Sequence, residues 1–330
     1  MFPGKPNEIR LTLGSDLLAS VVVFLVALPL CMGIAIASGV PPALGLITGI
    51  VGGLMVGPIA GSPLQVSGPA AGLAVIVFEL VQDEGIAMLG PIVLLAGIFQ
   101  LAGGMLRFGQ YFRAIAPPVI YGMLAGIGVL IFASQFHVML DDKPIGNGLE
   151  NLIGIPIALY RGIFPLDGSM HEEAALDGIV TIAMIVLWDK FRPKSLKSIP
   201  APLVAVVVAT TLATTLNWPI DHVDVPGNLL DATVPPTLES LMRMADTDII
   251  VAALAMAVIA SAETLLCAVG VDRLHQGPRT NFDKELRAQG IGNMICGVLG
   301  SGLIDHSQKM TVAAMQMADM KVCAHRSYRV

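Results

Sequence analysis

Apolar runs separated by short polar stretches repeat along the whole chain, and their lengths predict a bundle of membrane-crossing helices. A crossing helix takes about 20 apolar residues. The runs at 16–39, 42–59, 88–106, 115–140, 174–188, 202–216, 249–271 and 290–303 reach or approach that length, whereas the run at 73–81 does not. That short run follows the stretch Gly61-Ser62-Pro63-Leu64-Gln65-Val66-Ser67-Gly68-Pro69-Ala70-Ala71-Gly72. The pattern there predicts a broken crossing, with extended chain through 64–67 and a half-helix opening near Pro69, since proline suits a first helical turn that has no N–H partner to lose. Small residues around such an opening leave its N–H groups accessible, and the helix dipole adds partial positive charge. Irregular backbone at membrane depth survives only where it is buried in protein or lines a cavity. Gln65, Ser67, Gly68, Pro69, Ala70 and Ala71 are therefore the candidate substrate-binding residues for a small anion. A re-entrant turn that is merely packed against its neighbours is the alternative.

The polar stretches set the orientation. Basic residues gather before the first run (Lys5, Arg10) and in the links at 107–113 (Arg107, Arg113), 190–197 (Lys190, Arg192, Lys194, Lys197) and 273–287 (Arg273, Arg279, Lys284, Arg287). The alternate links carry Lys143, Arg161 and Arg243 among many acids. Counting 73–81 as the third crossing places every basic-rich link on one side, which the positive-inside rule makes the cytoplasm, with the N-terminus there too. The expected location is an inner or plasma membrane. The longer links at 141–173 and 217–247 are read as polar loops, the first with a short interfacial helix at 149–160. Glycines four apart at Gly45, Gly49, Gly53 and Gly57, and at Gly122 and Gly126, predict faces for close helix packing in lipid.

Composition agrees with this picture. Hydrophobic residues make up 55% of the 330, charged residues 13%, and the mean hydropathy is +0.76, roughly half the charge of a soluble domain. The net charge of −6 adds little. No cleavable signal peptide is expected in 1–13. Cys31, Cys267, Cys296 and Cys323 form no CxxC pair, the histidines show no metal-binding spacing, and there is no phosphate-binding glycine loop. No cofactor, nucleic-acid partner or enzymatic constellation is expected. The chemistry instead centres on Glu263, inside the run 249–271. A carboxylate at that depth costs several kcal/mol unless paired, neutralised or hydrated. Glu263 is thus a candidate site for a coupling H+ or Na+; a protonated glutamate kept for packing is the alternative.

The stretches 16–39, 63–72, 121–128 and 281–293, among them Pro63-Leu64-Gln65-Val66-Ser67-Gly68-Pro69-Ala70-Ala71-Gly72 and Asn281-Phe282-Asp283-Lys284-Glu285-Leu286-Arg287-Ala288-Gln289-Gly290-Ile291-Gly292-Asn293, carry a resemblance. The chain resembles the SulP family of anion transporters, the sulfate permeases, from about residue 12 to 300. The resemblance implies an all-α polytopic fold with a seven-plus-seven inverted repeat, in which two half-helices meet around the substrate. It implies a homodimer in full-length form. It places Glu263 at an acidic coupling position and Cys267 one turn later, where Na+-coupled relatives carry a hydroxyl, which favours a proton. Ala70 stands where several relatives have a hydroxyl.

The expected organisation is a cytoplasmic segment at 1–13, a transmembrane domain at 14–303 and an atypical polar tail at 304–330. On this reading the second repeat is cut after its second segment, half of the anion site is missing, and no STAS domain follows. The expected function is secondary active transport of sulfate, bicarbonate or a related anion, lost if the cut is real. A nucleobase transporter of the same architecture and a non-transporting membrane subunit are the alternatives.

Overall fold

The computed structural model describes residues 6–62, 65–114, 117–140, 148–163, 171–193, 196, 199, 201–218, 227–274 and 279–306. These form eleven α-helices and two short strands. The helices are α1 (Pro6–Ala37), α2 (Pro42–Val51), α3 (Ala74–Glu84), α4 (Ile86–Met105), α5 (Pro117–Met139), α6 (Gly148–Ile163), α7 (His171–Phe191), α8 (Ala201–Leu216), α9 (Leu238–Met242), α10 (Thr247–Leu274) and α11 (Phe282–Leu299). The strands are β1 (Ser67–Pro69) and β2 (Ile304–His306). Among the described residues, Pro42–Ile59, Ile86–Met105 and Thr247–Asp272 are long and apolar enough to cross a membrane. The expected all-α polytopic architecture is present.

The element boundaries differ from the apolar runs where caps override hydropathy. Helix α11 starts eight residues before its apolar run. Asn281 caps it by accepting from the Lys284 N–H at 3.0 Å, and Asp283 and Glu285 sit in the first turn, where a helix N-terminus favours negative charge. It ends at Gly300 in the left-handed conformation, φ 66°, as helix C-termini commonly do. A side chain at Gly300 would collide with the Val234 carbonyl. The polar stretch 217–247 contains the short helix α9, closed by a capping box between Thr237 and Ser240. The run 42–59 is not one regular helix: α2 passes into a π-turn at Gly52–Val56 and a 3-10 turn at Gly57–Ile59.

The core is built around α2, α3, α4, α10 and β2, with Leu44, Leu73, Leu89, Ile92, Leu303 and Ile304 fully or almost fully buried. Its tightest seam joins α4 to α11, which run antiparallel. Gly90, Gly97 and Gly104 on α4 recur every seven residues, as do Gly290 and Gly297 on α11. A Cβ on Gly97 would lie 2.7 Å from the Met294 amide nitrogen, one on Gly290 2.6 Å from that of Leu101, and one on Gly297 2.5 Å from that of Leu94. Backbone therefore touches backbone along the seam. The glycine faces expected from four-residue spacing are only partly used. Gly45 and Gly49 pack on Cys31 of α1, but among the described residues Gly53, Gly122 and Gly126 meet no neighbour within 4 Å and Gly57 meets only the Gly52 carbonyl at 3.9 Å. Spacing alone cannot tell a face turned to a neighbour from one turned to lipid.

Two of the basic-rich links assigned to a common side, 107–113 and 273–287, meet, and the turn after the second run joins them. Gly109 packs on Phe282, Gly104 on Arg287, and Gly61 on Asn281. A buried clasp lies at this end. Glu285, fully buried, accepts from the N–H groups of Gly61 and Ser62, both at 2.6 Å. Asp272 accepts from the Thr280 N–H at 3.1 Å and the Thr280 hydroxyl at 2.9 Å, and that hydroxyl lies 3.0 Å from the Ser62 hydroxyl. The clasp fixes the point where the chain leaves α2 and turns back toward β1. At the other end Arg243 donates to Glu84 at 2.8 Å.

Two outcomes follow. Gly97→Val and Gly290→Val should each lower stability by about 1–3 kcal/mol through overpacking, whereas Gly122→Val should stay within about 0.5 kcal/mol. Glu285→Ala should cost about 1–3 kcal/mol by leaving two backbone donors unpaired. Denaturant or thermal unfolding in detergent measures both.

Candidate functional site

The two strands cross antiparallel, with Ser67 opposite His306, Gly68 opposite Asp305 and Pro69 opposite Ile304. The pairing alters the expected opening of the half-helix. Pro69 lies in the strand rather than in a first helical turn, and Ala70 is still extended, φ −72° and ψ 97°. The chain turns helical as a 3-10 turn at Ala71–Leu73 and becomes α3 at Ala74. The Ala70 N–H is not open to a ligand, because it donates to the Leu303 carbonyl at 3.0 Å. The amides without an earlier helical turn to bond to are those of the turn at Ala71–Leu73.

Glu263 lies against this turn. It is 6% exposed. A Cβ on Gly72 would lie 2.6 Å from its Oε1 and its carboxyl carbon, so glycine is what lets the carboxyl group sit on the helix opening. Gln65 reaches the same part of α10, its Nε2 donating to the Thr264 carbonyl at 3.5 Å. The sequence-predicted residues Gln65, Ser67, Gly68, Pro69, Ala70 and Ala71 thus form one continuous approach to the half-helix, and Glu263 faces its first turn. Ser67, Gly68, Pro69 and Ala70 are buried. Cys267 is buried one turn further along α10. Pro69 and Ala70 also help line a small cleft of about 20 Å³ with Ser38, Thr48, Val77 and Leu303, room for about one water molecule. The Ser38 and Thr48 hydroxyls donate to carbonyls of their own helices, at 2.8 Å each.

Strand geometry explains which residues had to surround the crossing. Opposed residues in an antiparallel pair alternate between exchanging hydrogen bonds and pointing their backbone groups away from the partner. The Ala70–Leu303 bond makes that opposed pair a bonded one, so Pro69 and Ile304 point outward. Proline has no N–H to orphan there. The Ile304 N–H and carbonyl need partners. Asn293 Oδ1 accepts from the N–H at 2.6 Å, Gln289 Nε2 donates to the carbonyl at 2.8 Å, and Asn293 Nδ2 lies 3.3 Å from it. Asn293 acts as a one-residue third strand. On the β1 side, a Cβ on Gly52 would lie 2.6 Å from the Ser67 carbonyl oxygen, which accounts for glycine at that position in the π-turn. Gln100, Gln289 and Asn293 carry no charge, so the charge pattern of the apolar runs does not single them out. Uncharged amides inside such runs were the available signal.

Residues 13–317 match the family model described as the sulfate permease family. YvdB of Bacillus subtilis (strain 168), named provisionally as a sulfate transporter, is 29% identical over 292 residues, 86% of this chain and 52% of that protein. The bicarbonate transporter BicA of Picosynechococcus is 26% identical over 296 residues, 86% of this chain and 50% of that protein. The solved transmembrane domain of a cyanobacterial bicarbonate transporter BicA superposes with a TM-score of 0.73 at 26% identity, covering 93% of this chain and 77% of that one. Murine solute carrier 26 family member A9, an anion transporter solved in the inward-facing state, matches in fold with a TM-score of 0.72 at 16% identity, over 92% of this chain and 53% of that one. The chain spans about half the length of the curated relatives it matches.

The expectation that the resemblance ends near Gly300, with a polar tail from 304, needs correction. The match runs on to residue 317, and Ile304 is a fully buried strand residue. The second strand of the crossing is therefore present. The remainder of the expected tail, 307–330, lies outside the described residues.

Gly72→Ala tests the contact between the half-helix and α10. It should lower stability by about 1–3 kcal/mol through overpacking against the Glu263 carboxyl group. Gly53→Ala, in open space on a helical segment, should be neutral or stabilising by up to about 1 kcal/mol. Unfolding midpoints of the two variants, measured side by side, give the comparison.

Proposed function

The chain belongs to the sulfate permease family, and we propose that it serves secondary active transport of a small inorganic or carboxylate anion, sulfate or bicarbonate foremost, coupled to H+ or Na+ at Glu263. One observation carries this reading: the Glu263 carboxyl group sits on Gly72, at the opening turn of a half-helix that follows a buried strand crossing. An anion drawn to the amides of Ala71 and Gly72 would meet that carboxyl group within a few ångströms. Two unit negative charges about 4 Å apart repel by about 4 kcal/mol at an effective dielectric constant of 20, close to a thousandfold in affinity. Protonating the carboxyl group or placing Na+ on it removes the repulsion. Anion and coupling ion would then bind together, which is the requirement for symport. Cys267 one turn on, in place of a hydroxyl, favours the proton.

Movement would divide the bundle into a core group of α1–α4, α10 and α11, joined by the glycine seam and the clasp, and a gate group of α5, α7 and α8. The N-terminus would lie in the cytoplasm of a cell bounded by this membrane, and the full-length form would be a homodimer.

Uptake of labelled sulfate and bicarbonate into proteoliposomes, with pH and Na+ gradients imposed separately, tests the proposal. Uptake should follow one gradient, resist competition by uracil, and in Glu263→Gln lose its dependence on that gradient. Gradient-driven uptake that persists in Glu263→Gln would remove the coupling role, and competition by uracil but not by sulfate would point to a nucleobase substrate instead.

A further inference from the structure

A line of buried side chains crosses the core from β2 to α10. The Ile304 N–H donates to Asn293 Oδ1 at 2.6 Å, Asn293 Nδ2 donates to Gln100 Oε1 at 2.7 Å, Gln100 Nε2 donates to the Ser261 hydroxyl oxygen at 3.3 Å, and the Ser261 hydroxyl donates to the Ala257 carbonyl at 2.5 Å. Asn293 is fully buried, Gln100 is 2% exposed and Ser261 is 6% exposed. The direction of the line is fixed at both ends, because a backbone N–H can only donate and a backbone carbonyl can only accept. Neither amide can flip without breaking two bonds. Every donor points the same way, from the strand toward α10, the arrangement in which successive hydrogen bonds polarise one another.

We propose that Gln100 and Asn293 are positioning residues that tie the placement of β2 to the turn of α10 carrying Glu263, so that strand and coupling carboxyl group hold one relative position. This rests on the transport reading of the crossing and Glu263. Two further observations support it. Ser261 stands two residues before Glu263, and Gln65, on the approach to β1, bonds the Thr264 carbonyl one residue after it. Both strands are therefore tethered to the same turn of α10 by uncharged amides. The seam glycines make this reach possible: Gly97 and Gly290 bring the α4 and α11 backbones into contact one turn from Gln100 and Asn293. The hydrogen bonds of Gln100 run to Asn293 and Ser261, so an effect of its loss at both β2 and the Glu263 turn is expected to travel along the line.

Amide hydrogen exchange of the full chain in lipid nanodiscs tests the tie directly. Gln100→Met, close in volume, should speed exchange about tenfold in peptides containing Ile304 and also in those covering 257–265, the change expected for one lost buried hydrogen bond. Faster exchange confined to α4, or none, would overturn the proposal. If Gln100→Met fails to fold, Ser261→Ala removes the acceptor of the Gln100 amide together with the bond to the Ala257 carbonyl, leaves Gln100 and Asn293 in place, and should show the same two-site acceleration, weaker at Ile304; acceleration in α10 alone would overturn the proposal. In proteoliposomes, Gln100→Met should raise the KM for sulfate severalfold and flatten its dependence on the imposed gradient, with uptake at saturating sulfate less affected. Loss of saturating uptake at unchanged KM would count against positioning. If the wild-type chain carries no anion, the transport reading falls, while the exchange experiment still decides whether the tie exists.

Discussion

The constraint on which this structure turns is that a peptide group inside a bilayer has no water to bond to. A helix meets it by itself, but a chain that breaks halfway through the membrane must find a partner for every exposed N–H and carbonyl. Here the break is made good three times over. The two extended stretches pair with each other as β1 and β2. Their outward positions are then silenced, by a proline that has nothing to donate and by Asn293 and Gln289, which supply the bonds that Ile304 lacks. Below the crossing, Glu285 collects the two amides released where the chain leaves α2. Next to the crossing comes the first turn of the half-helix, and there Gly72 and Glu263 meet.

Much of this was legible in the sequence. The short run at 73–81 revealed a broken crossing, and two of the basic-rich links that the charge pattern put on one side, 107–113 and 273–287, lie against each other. Glu263 stood out because a carboxyl group is costly in an apolar run. The hidden part was long-range. Nothing local shows that Ser67–Pro69 will find Ile304–His306 more than two hundred residues away, so Pro69 was read by its preference for a helical first turn when tertiary pairing had claimed it for a strand. The same pairing shows why residues that looked like the start of a polar tail belong to the core.

The glycines give a second lesson in the same terms. Four-residue spacing in α5 is as regular as any in the chain, yet Gly122 and Gly126 meet nothing within 4 Å among the described residues. The seven-residue spacing of Gly90, Gly97 and Gly104 is less conspicuous, but it has a matching partner on α11. A packing face becomes recognisable only when two helices carry complementary repeats, and that pairing is a property of the fold rather than of either segment.

The glycine seam also restricts how such a chain can change over generations. Each residue of an α-helix advances its neighbours by about 100° around the axis. Losing or gaining a single residue between Gly90 and Gly104 would swing one glycine out of line and bring a side chain against the opposing backbone. Substitutions on the lipid side of these helices are cheap, but length changes within α4 or α11 are close to forbidden. Growth in this architecture is therefore channelled into its links and termini.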